Sequence, residues 1–238
     1  MDFMKVIETR QSIRKFAERD VPIEDLMDMA AVAGKAPSGK NIQNWHFVII
    51  KNKAVMGKIA EAITARNELI VNEMKKVDEG KALRFEKFCR NFTVFFLKAP
   101  ALVVVLTREY LPSGYPEVTL VKDAENEGAS VNLESLGDVD AFLHNLKYEK
   151  NPGMQSLGAA IENFTLRAID LGYGSCWLTS ANYASEEIEK ILKEETPIDR
   201  SLFDEGFFMG AMLAVGVPGE GNKSPTKKDV NDITTVVE

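Results

Sequence analysis

Apolar residues recur along this chain in two periods, and the alternation between them outlines the fold. Residues 2–9 read as a helix with Phe3, Val6 and Ile7 on one face. Pro22 sits where a helix can start, and Ile23, Leu26, Met27, Ala30 and Ala33 repeat at helical spacing until Gly34 closes the run. His46 to Lys51 reads as a strand. Val55, Ile59, Ala62 and Ile63 mark another helix, and a helical region interrupted near Gly80 carries Leu83, Phe88, Phe92 and Phe95. Those phenylalanines are assigned to core or subunit interface rather than to a cofactor cage. Pro100 to Thr107 is apolar without a break, as expected of a strand buried on both faces. A mostly apolar helix starts near Pro152 or Met154 and runs through Gly158–Leu171, and Leu213–Val217 reads as a further core strand. No internal repeat or low-complexity tract interrupts this pattern.

Residues 108–153 break it. Nine acids stand against four bases there, so the segment carries −5 of the chain's net −7. Pro112, Gly114, Pro116, Gly128 and Gly137 divide it. Two readings stay open: a solvated excursion, or a lid that shapes a substrate pocket and disfavours anionic substrates. At 238 residues a single domain is expected, with the whole chain contributing to one core. The acidic balance argues against a general nucleic-acid surface. Cys89 and Cys176 have no paired spacing, which fits a reducing compartment and excludes an iron–sulfur cluster or structural zinc. His46 and His144 are too few for a metal centre, so no metal is expected. The first residues lack signal-peptide architecture and no apolar run is long enough to span a membrane, so a cytoplasmic location is expected.

Three segments carry candidate chemistry. In Thr9-Arg-Gln-Ser-Ile-Arg-Lys-Phe16 an extended backbone would point Arg10, Ser12 and Arg14 to one side, and Gln11 and Ile13 to the other. Two guanidinium forks beside a hydroxyl suit a phosphate or carboxylate; the plainer reading is a solvated basic turn. In Ala36-Pro-Ser-Gly-Lys-Asn-Ile-Gln-Asn-Trp-His-Phe47, Pro37 and Gly39 forbid a helix, leaving a polar loop with Ser38, Asn41 and Gln43. Uncharged hydroxyl and amide groups fit polyol hydroxyls or the edge of a heterocycle, although such a turn can also satisfy its own backbone. In Leu171-Gly-Tyr-Gly-Ser-Cys-Trp-Leu178, Gly172 reads as a helix terminator and Gly174 as a place where backbone can approach a ligand. The segment lacks the third glycine and preceding strand of a dinucleotide fingerprint, so a Rossmann reading is rejected.

Together these segments resemble the FMN-dependent nitroreductase family. Arg10, Ser12 and Arg14 match its Arg-x-Ser-x-Arg pattern, and Pro37, Ser38, Asn41, Gln43 and Trp45 match its Pro-Ser-x-x-Asn-x-Gln-x-Trp. Gly172 to Trp177 matches a third motif, and Leu213 to Pro218 followed by Lys227-Lys228 resembles the last core strand and a basic phosphate-binding residue. The resemblance implies an α+β fold: a mixed central β-sheet surrounded by helices, in an intertwined homodimer. It implies FMN as cofactor, with Arg10 and Lys227 (or Lys228) at the phosphate and Arg14 beside the N1–C2=O edge. Ser38, Gly39, Asn41 and Gln43 would come from the second subunit, Tyr173 and Gly174 would offer backbone amides toward N5 and O4, and Pro37 and Ser175 would also lie at the cofactor. Asn67-Glu68 weakly resembles another flavin contact. The tail from Gly219 would cross onto the partner, with Thr234–Val237 as an added strand. The implied activity passes hydride from NAD(P)H through the flavin to a nitroaromatic, quinone or similar acceptor, with no acid–base side chain. Flavin fragmentation, reductive dehalogenation and non-catalytic flavin binding are the alternatives.

Overall fold

A computed structural model describes residues 1–237. Its frame is a sheet of β1 (Trp45–Ile50), β2 (Ala101–Arg108), β3 (Gly174–Leu178) and β4 (Phe207–Gly216), in the order β1-β2-β4-β3. Every neighbouring pair is antiparallel. The parallel component among the described residues is one bridge, Ser12 to Ser175, where the N-terminal segment lies along β3.

The uninterrupted apolar run of β2 is explained by layers of helix on both sides. Leu102, Val104 and Leu106 pack with Ile59 and Ile63 of the helix Lys53–Lys75 (α3) and Ile188 of Ser185–Glu195 (α8). The alternate residues Ala101, Val103 and Val105 pack with Leu26 of Ile23–Ala33 (α2) and Leu157, Ile161 and Phe164 of Pro152–Asp170 (α7). Each large apolar side chain removed from water in this way contributes about 1.5–3 kcal/mol.

Local signals set the helix ends. The Asn52 side chain accepts from the Ala54 and Val55 amides to cap α3, and the Asp78 side chain accepts from Lys81 N to start Glu79–Phe92 (α4). The predicted interruption near Gly80 is therefore real but falls at residues 76–78. Gly172, at φ +86°, ends α7, with Tyr173 N donating to Ala168 O and Gly172 N to Ile169 O.

The first helix, Phe3–Thr9 (α1), has the expected span, with Asp2 as its cap. Only Val6 of its predicted apolar face is buried; Phe3 and Ile7 are exposed, as are Met27 of α2 and Phe88 and Phe92 of α4. Residues 109–152 are not irregular: they form Tyr115–Asn126 (α5) and Val139–His144 (α6), tied by Lys147–Glu109 at 2.9 Å and by an ion pair between Lys122 and Asp140. The short helix Ser201–Asp204 (α9) leads into β4. Thr234–Val237 forms no strand within the single chain and is exposed. No helix among the described residues is long and apolar enough to cross a membrane, and no cluster there could hold a metal ion.

Candidate functional site

Beyond α1 the chain continues as an extended arm, residues 10–16, clamped on both edges. Ile13 N donates to Ser175 O at 2.9 Å on the β3 side. On the other side Ala17 N reaches Val217 O, Gly219 N reaches Lys15 O, and Phe16 bridges Pro218. The Asn222 side chain completes the clamp. Its Oδ1 accepts from Arg14 N (3.0 Å) and Lys15 N (3.1 Å), while its Nδ2 donates to Lys15 O and Gly219 O, both at 2.9 Å. Both partners of this carboxamide are thereby satisfied, which makes it a rigid link.

Alternation along the arm follows the expectation for Ile13, which is buried against Gly174. Arg14 is exposed, and its guanidinium carbon stands 5.8 Å from the Phe92 ring centroid, a cation–π distance. It has no carboxylate partner among the described residues, Glu18 included. Arg10 has a loose pair with Glu162 at 3.9 Å, where both side chains are partly exposed. Ser12 and Arg14 both lie close to the buried Cys176 thiol; burial pushes that thiol up, while the Arg14 charge and the Ser12 hydroxyl act in the opposite direction. The thiol is therefore neutral and poorly nucleophilic.

The polar loop is strained. Lys40, Asn41 and Gln43 hold φ of +50°, +54° and +45°, a region that costs non-glycine residues energy and persists where surroundings enforce it. Ser38 Oγ accepts from Gln43 N at 3.0 Å, and Gln43 Nε2 donates to Asn41 Oδ1 at 3.1 Å. Gly39 lies under the Tyr110 ring, where a Cβ would meet ring atoms at 2.6 Å. No hydrogen bond or ion pair among the described residues joins this loop to the arm.

In the third segment one expectation, a free Tyr173 amide, is corrected. The Tyr173 amide is consumed by the α7 cap, and its hydroxyl donates to Asp25 at 2.6 Å. Gly174 opens β3 opposite Gly216, and it is a glycine because a Cβ there would stand 2.4 Å from Ile13 Cγ1. Ser175 is buried and holds the arm through its carbonyl. This segment shapes the arm, and its Tyr173 amide is already engaged within the chain. Lys227 and Lys228 sit on an irregular exposed stretch, and nothing in the single chain brings them to Arg10.

A groove of about 490 Å³ opens between α3 and α4, lined among others by Asn67, Glu68, Cys89, Arg90 and Thr93. Asn67 is buried in its floor. It donates to Thr93 Oγ1 at 3.0 Å and accepts from the Tyr183 hydroxyl, whose pKa burial pushes up to about 12. Thr93 follows Phe92, so the groove adjoins the ring that carries Arg14.

The model of the nitroreductase family matches residues 7–216, which take in the arm, the loop and all four strands. The chain belongs to the nitroreductase family. A BluB-like flavoprotein from Clostridium difficile 630 is similar over the full length of both chains, at 51% identity and a TM-score of 0.87. A nitroreductase with bound FMN from Bacteroides fragilis shares the fold over both full chains, at 20% identity and a TM-score of 0.64. The iodotyrosine deiodinase of Hydra vulgaris is 34% identical over 112 residues, which are 46% of this chain and 40% of that protein's length. This nitroreductase-family chain thus spans less than half of the deiodinase it matches.

Proposed function

We propose that this chain is an FMN-dependent oxidoreductase acting as a homodimer, with NAD(P)H as reductant and a nitroaromatic, quinone or similar small acceptor. The observation that carries the reading is the arm: two guanidinium groups, Arg14 with no carboxylate partner among the described residues and Arg10 with only a loose one, on a segment clamped at both edges. A bound phosphate would supply the missing anion for Arg10, with Lys227 or Lys228 brought in by the tail. The uncharged loop Pro37–Gln43 suits ribityl hydroxyls and ring heteroatoms. FMN, when bound, supplies two-electron transfer between reductant and acceptor. This chain's residues bind it, orient it and control access. Arg14, anchored over Phe92, would favour negative charge at the adjacent ring edge, and the α3–α4 groove offers room for an acceptor.

Assembly supports the same reading. No hydrogen bond or ion pair among the described residues joins the loop to the arm, β1 lies at the edge of the sheet, and residues 223–237 of the tail are exposed, Ile233 and Val236 among them. A partner's tail laid along an edge such as β1 would bury these residues, and the partner's loop would complete each site. Neither chain alone would then hold the cofactor.

An absorbance spectrum of the purified protein, cofactor release and anaerobic NAD(P)H titration test the proposal. About one FMN per chain and bleaching on titration are expected. FAD, or no flavin after reconstitution with FMN, would overturn it. The deiodinase similarity favours one second reading, reductive dehalogenation at the same site; product analysis with a halogenated phenol separates it from nitro or quinone reduction.

A further inference from the structure

The excursion, residues 109–152, leaves the fold at Arg108 and returns at Gly153, and a single side chain holds both points. Asn44 is fully buried. Its Nδ2 lies 3.0 Å from Arg108 O, 3.3 Å from Gly153 O and 3.0 Å from Thr107 Oγ1. Its backbone carbonyl accepts from Thr107 Oγ1 at 2.7 Å and from Arg108 N at 3.4 Å. Its own Oδ1 is buried with no donor among the described residues.

That combination argues for placement over stability. A buried oxygen left unpaired is costly, and Asn44 carries that cost while its amide pairs two carbonyls. Only a double donor can hold two carbonyls from distant parts of the chain together. Close packing extends the joint. A Cβ at Gly153 would stand 3.3 Å from both Asn44 Nδ2 and Tyr110 Cβ, and the Tyr110 ring covers Gly39 of the polar loop. Asn44 directly follows Gln43, so one joint gathers the loop and both roots of the excursion.

We infer that Asn44 is a positioning residue whose carboxamide locks the loop Ser38–Gln43 and the excursion into one body. This deepens the proposed function, on which it rests for its meaning: the excursion's placement would be set by the loop assigned to the cofactor.

Hydrogen exchange on the full-length protein as purified tests it. In the unmodified protein, amides at the excursion's roots and at Asn41 and Trp45 are expected to exchange through one common opening. Asn44→Leu keeps the volume and removes the donors. It orphans the Arg108 and Gly153 carbonyls as it removes the unpaired oxygen, so it is expected to lower the melting temperature by only a few degrees while accelerating exchange across residues 109–152 about tenfold relative to β2 and β4. Thr107→Val, which leaves both root bonds intact, should show no such regional effect. FMN affinity of Asn44→Leu should fall several-fold. Separate openings for loop and roots in the unmodified protein, uniform acceleration in Asn44→Leu, or unaltered FMN affinity despite a freed excursion would each overturn the inference. Failure of the wild-type protein to bind FMN would count against the proposed function instead, with the lock still decided by the exchange pattern.

Discussion

Gly174→Ala should damage the cofactor arm without touching any group that faces the cofactor. The added methyl would stand 2.4 Å from Ile13 Cγ1, 3.1 Å from Ile13 Cβ and 3.0 Å from Pro218 Cγ. Carbon–carbon contacts settle near 3.5–4.0 Å, so Ile13 must retreat by roughly 1 Å. Cγ1 is attached directly to the branched Cβ, whose rotation is restricted, so the retreat has to come from the backbone. That backbone carries Ser12 and Arg14 and the Ile13–Ser175 hydrogen bond. Overpacking of this kind costs about 1–3 kcal/mol, and in a chain of this size each kcal/mol lowers Tm by about 2–4 °C. FMN binding should weaken in parallel. Ile13→Ala alone empties a buried site at about 2–5 kcal/mol. In the double variant the two changes should compensate, with a favourable coupling of about 0.5–3 kcal/mol. Urea unfolding and FMN titration of all four proteins give the cycle. A wild-type Tm for Gly174→Ala, or no coupling to Ile13, would refute the wedge. Loss of FMN affinity in both glycine variants at unchanged stability would mean that Gly174 approaches the ligand directly.

Arg10→Ala should weaken FMN binding by about 2–5 kcal/mol, the cost of removing one partner of a shielded anion, while Tm of the flavin-free protein hardly moves; retention of FMN through dialysis as in wild type would remove Arg10 from the phosphate site. Arg14→Gln should keep FMN bound and lower the two-electron potential by roughly 30 mV for each 1.4 kcal/mol of lost differential stabilisation, read by potentiometric titration. His46 is held below its ordinary 6.5, chiefly by burial, with Asp199 acting against the shift. A folded pKa below the unfolded one means that this contribution is present above about pH 6.5 and lost as pH falls through the folded value. His46→Gln should therefore flatten the fall in stability below about pH 6.5 seen in urea unfolding, whereas an equally steep fall would assign it elsewhere.

How legible each part was depends on how local its cause is. β2 and α7 could be read because their burial is written in consecutive residues, and the arm because Ile13 and its neighbours alternate. β3 escaped notice: Gly-Ser-Cys-Trp-Leu has no β-branched residue, and its extended form comes from pairing with β4. The helix α8 is mostly charged and shows its apolar side only in Ile188, Ile191 and Leu192. Gly174 and Tyr173 were visible as unusual positions, but their reasons, a distant isoleucine and a helix cap, lie in tertiary structure. Asn44 left no trace beside the more conspicuous Asn41 and Gln43, since nothing local distinguishes a buried amide from an exposed one. The exposed Phe3, Ile7 and Met27 were assigned to apolar faces by spacing alone, and a single chain leaves them uncovered.

The clamp on the arm has a consequence for the order in which this protein is made. Arg14 and Lys15 depend on Asn222, which lies 208 and 207 positions further along the chain. At about 5–20 residues per second the ribosome needs tens of seconds to supply it. The segment that emerges almost first is consequently the last to be seated, after the sheet has closed and β3 has offered its edge. A message that stopped just short of Asn222 would encode every strand of the sheet yet leave the arm without the four hydrogen bonds of that carboxamide.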